Sequence, residues 1–307
     1  MNTNFKLVWF ENEDTVFDSY EPDIIELIEK NVLIPEIVKY KDANYSEKDL
    51  SSADLILADY DLGTSTSVDI VKHIRGKNIV TDVLFYSSKD DMTKSIQSAV
   101  PILEGFFCAK RGTDEYLPKI ELLINRVVRR SQTKENLRGM VMEYTATFDK
   151  YIFDNICNYC KDEKNSIEIL NYINCTILGH YKDNTCKSCK NCLSGGGCDN
   201  LKFYSHKEIV NVTEIEKFDA ETKCRILYKI LKKINSSSYN SFFEEYKSEI
   251  ICYRNAFAHQ FSDANQIYLK PTGTYEVISD ELFEKIRGYL KKYSSLFLKM
   301  NSLFATN

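Results

Sequence analysis

Along the first 130 residues, short apolar runs alternate with stretches whose apolar residues fall three and four apart. The runs Phe5–Phe10, Glu36–Tyr40, Asp54–Ala58, Val83–Tyr86 and Gly105–Ala109 have the length and side-chain content of buried strands. The segments between them, such as PDIIELIEK, SVDIVKHIRG and DEYLPKIELLINRVV, follow a helical period. Short buried strands alternating with helices predict a parallel sheet covered on both faces. After about residue 118 the pattern changes. No proline lies between Pro118 and Pro271, and from Met140 to Thr272 the only glycines are Gly179 and Gly195–Gly197. Long amphipathic stretches such as FFEEYKSEIICYRNAFAHQF then predict a mainly helical second half. Two segments interrupt it: a Cys/Gly-rich insert over 180–200, and IYLKPTGTYEVI, a hairpin around Pro271–Gly273. The reading is an α/β domain over 1–130 and an all-α domain over 131–307. The last helix of the first domain runs on towards Leu137 as a helical joint.

Composition adds limits. A length of 307 residues exceeds what one ordinary core needs, and 28% charged residues suit a globular chain. No apolar run is long enough to cross a bilayer, and the N-terminus carries no secretory signal pattern, so a soluble, cytoplasmic protein is expected. Residues 1–130 hold 16 Lys+Arg against 23 Asp+Glu, whereas the remainder holds 24 against 22. Neither half is basic enough for general DNA binding, and a nucleic-acid site would have to be local and in the second half.

Ligands of open parallel sheets bind beyond the carboxyl ends of the strands. The first strand runs into Glu11-Asn12-Glu13-Asp14, the third into Asp59-Tyr60-Asp61, the fourth into Ser87-Ser88 and the fifth into Lys110. Carboxylates with spare water positions suit Mg²⁺, and a hydroxyl and an ammonium beside them suit phosphoryl oxygens. Over about residues 4–130 this order resembles the receiver domain of two-component response regulators. The resemblance implies a flavodoxin-like (βα)₅ fold phosphorylated by a histidine kinase or another phosphodonor. Asp59 would be the phosphoacceptor, with Ser87 at the hydroxyl position, Lys110 after the fifth strand and Phe107 at the aromatic switch position. Glu11, Asn12 and Asp61 complete the expected site. Two departures are visible: the acidic pair appears as Glu11-Asn12 unless the register uses Glu13 or Asp14, and Arg111 stands where proline usually follows the lysine.

The second half carries Arg254-Asn255-Ala256-Phe257-Ala258-His259 late in a helical stretch. Asn255 and His259, four apart, share a helix face, with Arg254 beside it. Imidazole exchanges protons near neutral pH, and a guanidinium holds phosphate. The arrangement resembles the HEPN superfamily, over about 135–305 in fold and 254–259 in motif. What this implies is a helical bundle that forms a homodimer and places its motif in a shared cleft. Many members are metal-independent endoribonucleases that cut through the RNA's own 2′-OH. His259 would transfer protons, Arg254 would bind the scissile phosphate and Asn255 would orient the His or the phosphate. DNA, lacking the 2′-OH, would not be cut.

Ten cysteines are many for a reducing compartment. Cys186, Cys189, Cys192 and Cys198, with His180 as a substitute ligand, are spaced for structural Zn²⁺ on a glycine-rich loop, and an iron–sulfur cluster is the other metal reading. Cys157 and Cys160 form a second CxxC, where the helical pattern makes Cys157 a core residue, and Cys108, Cys175, Cys224 and Cys252 sit in apolar patterns and read as core thiols. Together these observations predict a signal-gated RNA-cleaving effector, by analogy in stress response or phage defence. The alternative is a non-enzymatic response regulator whose helical domain binds a partner protein or nucleotide.

Overall fold

The computed structural model describes residues 3–42, 44–63, 67–88, 96, 105–178, 209–234, 238–259 and 265–305. The chain divides into two compact units: 1–137 with 279–287, and 138–278 with 288–307.

The first unit is built on five parallel strands, β1 (Asn4–Phe10), β2 (Ile34–Tyr40), β3 (Leu55–Asp59), β4 (Asp82–Ser87) and β5 (Phe106–Lys110), in the order β2-β1-β3-β4-β5. Every residue of β3 and β4 is buried, which is why these segments read as continuous apolar runs. Side-chain alternation splits the core into two layers. Leu7, Trp9, Leu55, Leu57 and Leu84 pack with Phe17 and Ile24 of α1 (Asp14–Glu29) and with Ile120 and Leu123 of α4 (Tyr116–Ser131). Val8, Phe10, Ile56, Val83 and Phe85 face the other way, onto Leu50 of α2 (Glu47–Ser52) and Ile70 and Ile74 of α3 (Ser67–Gly76). The order reverses between β1 and β3, and a cleft opens beyond the carboxyl ends of such a pair.

The expected helical joint is interrupted. Helix α4 ends at Ser131, Gln132 leaves the helical region at φ −83, ψ 67, and α5 (Lys134–Tyr159) starts afresh. The cause is local: the Thr133 hydroxyl accepts the Asn136 amide at 3.2 Å, an N-cap that competes with continuing the helix.

Among its described residues the second unit is mainly helical, with one hairpin. Its described elements are α5 from Arg138 onward, α6 (Glu163–Tyr172) running into a π-helical turn Ile173–Ile177, a 3₁₀ turn Val212–Lys217, α7 (Ala220–Ile234), α8 (Phe242–Tyr246), a second π-helical turn Lys247–Ile251, α9 (Cys252–His259), β6 (Gln266–Leu269), β7 (Thr274–Val277) and, from Gly288 onward, α10 (Asp280–Ala305). An aromatic cluster of Phe148, Phe242, Tyr246, Tyr293 and Phe297 fills its core, mostly at edge and tilted geometries with Phe242 and Tyr246 stacked. The hairpin turns through Gly273, whose φ of +67 is a conformation that glycine adopts without strain.

The expected Cys/Gly insert over 180–200 lies outside the described residues. Its flanks are tied together by buried Asn174, whose amide donates to the Ile209 carbonyl at 2.8 Å and accepts the Ile209 amide at 2.9 Å. Asn174→Leu leaves both Ile209 groups unpaired in the interior. The expected loss is about 2–4 kcal/mol of stability by chemical denaturation, and a loss below 1 kcal/mol contradicts this bracketing role.

Candidate functional site

Among the described residues, two places gather chemistry-bearing side chains, one in each unit.

In the first unit, Glu11 follows β1 and Asp59 closes β3, both buried, at the reversal of strand order. Sheet alternation determines what joins them. The Arg111 amide bonds the Ser87 carbonyl at 2.9 Å, extending the β4–β5 ladder one step past Lys110. Lys110 is exposed, so the next side chain turns inward. One Arg111 nitrogen, Nη1, donates to Glu11 Oε2 at 2.7 Å and to Asp59 Oδ2 at 3.2 Å. Glu11 also accepts the Glu13 amide on Oε1 at 2.9 Å and the Tyr86 hydroxyl on Oε2 at 3.0 Å, and the Tyr86 oxygen accepts Trp9 Nε1 at 2.6 Å. On Asp59 the second oxygen accepts the Asp61 amide at 3.3 Å. Two buried carboxylates therefore share one guanidinium within an aromatic wall.

The other expected residues sit around this pair. Ser87 is buried at the end of β4, whereas Asn12, Glu13, Asp14 and Asp61 are exposed. Phe107 is half-buried, with the Arg126 guanidinium 5.0 Å above its ring.

The cofactor expectations are corrected here. Among the described residues no group of three or more His, Cys, Asp or Glu could hold a metal ion. For Mg²⁺ the physical reason is Arg111, whose Nη1 occupies the space between Glu11 and Asp59 that a cation would need. The Zn²⁺ ligands named from the sequence, Cys186, Cys189, Cys192, Cys198 and His180, lie outside the described residues, so the Zn²⁺ expectation has no structural support. Of the remaining cysteines outside any disulfide, Cys224 and Cys252 are buried and Cys108, Cys157 and Cys160 are half-buried. Burial pushes the Cys160 thiol up to about 12 and raises Cys157, so neither is a ready thiolate. Cys175, read as a free core thiol, is buried but disulfide-bonded.

Burial, with Glu11 as the second cause, raises Asp59 to about 6 from an ordinary 3.8. The folded state then binds this proton more tightly than the unfolded chain does. The resulting stabilisation is full below the ordinary value and is lost as pH rises through about 6. The chain's single tryptophan, Trp9, is buried in this unit and reports its unfolding. Unfolding followed at Trp9 is expected to show about 1 kcal/mol less stability at pH 7.5 than at pH 5, and Asp59→Asn is expected to remove that difference. Equal stability of the unaltered protein at both pH values contradicts the assignment.

In the second unit, a cleft of about 300 Å³ is lined by Asn255 and His259 together with Glu221, Lys247, Tyr268 and Lys270. Asn255 and His259 are exposed to it. Arg254 is half-buried, and its Nη1 donates to Asn255 Oδ1 at 3.0 Å, so the guanidinium is held against a cleft-lining amide. The π-helical turn sets this face. In a continuous α-helix Lys247 and Asn255 would stand about 80° apart, whereas one inserted residue brings them within about 20°. The Lys247 ammonium donates to Glu221 Oε1 at 2.9 Å, and Arg225 approaches the same oxygen at 3.3 Å, so the cleft's carboxylate is already neutralised. What remains is a weakly cationic hollow with an imidazole and an amide on one wall.

Sequence reading missed Lys247, Tyr268 and Lys270 as cleft residues, and it treated Arg111 only as a departure. For Arg111 a signal existed, since neighbours on a strand point to opposite faces. A π-helical turn has no comparable signature in the pattern of apolar residues.

No protein-family model matches the chain, and no curated protein matches it significantly. Among the described residues no helix is long and apolar enough to cross a membrane.

Proposed function

We propose that the chain is a cytoplasmic, signal-gated endoribonuclease with its cutting site in the second unit. The observation that carries this reading is the shared wall of Asn255 and His259, with Arg254 held against Asn255 and Lys247 and Lys270 alongside. His259 takes the proton of the 2′-OH or returns one to the leaving 5′ oxygen, while Arg254 offsets the charge that builds on the phosphorus oxygens. The RNA supplies its own nucleophile, so the bond is cut to a 2′,3′-cyclic phosphate and a 5′-hydroxyl. No metal enters these steps. Two copies of the motif meet in a homodimer, as the HEPN resemblance implies.

Control is assigned to Asp59 in the first unit, by phosphorylation or by binding of a regulator there. Because Arg111 already engages Asp59, any group added to that carboxylate must displace or re-pair the guanidinium, and this is the event a signal would exploit.

The second reading is a non-enzymatic regulator that binds a nucleotide, favoured by a cleft volume within the small-ligand range. Incubation of total RNA with the purified protein and with His259→Ala, in EDTA, separates the two. Cleavage that leaves cyclic-phosphate ends and vanishes in the variant supports the nuclease. Intact RNA in both samples supports the binding module.

A further inference from the structure

The hairpin beside the cleft has two unlike faces. Ile267 and Leu269 point inward and are buried. On the opposite face the cross-strand pairs are Gln266 with Val277 and Tyr268 with Tyr275. This outer face is open: Tyr275 is 70% exposed and Val277 54% exposed. The two tyrosine rings lie 4.9 Å apart at 44°, and Tyr268 also lines the cleft. The aromatic surface therefore continues into the hollow that holds His259, with Lys270 and Pro271 of the hairpin turn on the cleft's edge.

An exposed ring supported from below by a second ring is a stacking platform, and every nucleobase offers a flat face to it. The charge nearby selects the same ligand. Lys247 and Lys270 line the cleft, Arg254 is bonded to its wall through Asn255, and Glu221, the one carboxylate among the described lining residues, is paired with Lys247 and Arg225. A strand with bases on one side and phosphates on the other meets both features at once.

We infer that the outer face of the β6–β7 hairpin is a docking platform for single-stranded RNA, with a base on Tyr275 and the adjoining phosphate at Lys270. This rests on the nuclease reading for the direction of the strand into the cleft, but its binding test does not need cleavage. A duplex keeps its bases stacked on one another and cannot use the platform.

The experiment titrates a fluorescein-labelled 12-nucleotide RNA, 2′-O-methylated throughout so that it cannot be cut, and follows anisotropy. Tyr275→Ala is expected to weaken binding at least fivefold, and Tyr275→Phe to restore it, because stacking needs the ring and not the hydroxyl. Lys270→Ala is expected to weaken binding and to reduce its salt dependence by about one phosphate contact. The inference is overturned if Tyr275→Ala binds like the unaltered protein, or if Tyr275→Phe fails as badly as alanine. It is also overturned if the strand does not bind at all, which would assign the exposed face to a protein partner. Ribose RNA run in parallel keeps the two readings apart. Tyr275-dependent binding without cleavage sinks the nuclease alone, and cleavage unaffected by Tyr275→Ala together with unchanged binding sinks the platform alone.

Discussion

Replacing Arg111 with alanine is expected to cost the first unit about 3–5 kcal/mol at pH 7.5, the penalty of leaving buried carboxylates without their counter-charge. The side chain of Glu11 is fully buried and that of Asp59 is 7% exposed, so water cannot take over from the guanidinium. Because Trp9 donates to Tyr86, which donates to Glu11, the change should register directly in the tryptophan signal. The loss should shrink on moving to pH 5, where Asp59 takes up its proton and only one charge is left unmatched. Adding Asp59→Asn to Arg111→Ala should recover part of it, a non-additivity that marks one coupled network. Millimolar Mg²⁺ should leave the unfolding midpoint of the unaltered protein where it was, since a ligand that does not bind the folded state does not stabilise it. An Arg111→Ala protein within 1 kcal/mol of the original would show that the guanidinium does not hold the pocket together.

The second large effect concerns the cleft. His259→Ala is expected to reduce RNA cleavage 100-fold or more, the ordinary worth of a positioned proton-transfer group. Arg254→Ala should do the same through lost charge stabilisation, and Arg254→Lys should restore little of it. An ammonium lacks the planar fork that meets Asn255 and a phosphate together. Both side chains are exposed or half-buried, so the thermal midpoint should hardly move, and the loss belongs to chemistry and not to folding. Cleavage that survives in the purified His259→Ala protein would remove the imidazole from the mechanism.

How far the sequence disclosed this depended on whether a feature leaves a periodic trace. The strands of the first unit were readable because β3 and β4 are buried on both faces and therefore unbroken in hydrophobicity. The hairpin was readable from Pro271 to Gly273, since its turn needs a residue at positive φ. The helix break at Gln132 was not, because it turns on a single hydroxyl, that of Thr133, which is equally at home inside a helix. In the candidate sites the same division holds. The four-residue spacing of Asn255 and His259 shows that they share a face, whereas Lys247 joins them only through a π-helical turn. Glu11 and Asp59 were legible from strand ends, but the order of residues does not disclose that Arg111 fills the space between them. That required the β4–β5 ladder to run one residue beyond Lys110.

The most direct test of the proposed nuclease activity uses a 20-nucleotide DNA strand carrying one ribonucleotide within a sequence found to be cut as RNA, incubated with the protein in EDTA. The account requires a single break on the 3′ side of that ribose, ending in a 2′,3′-cyclic phosphate, and none in the all-deoxy strand. Equal cutting of both strands, or a break that appears only with added metal, would contradict it.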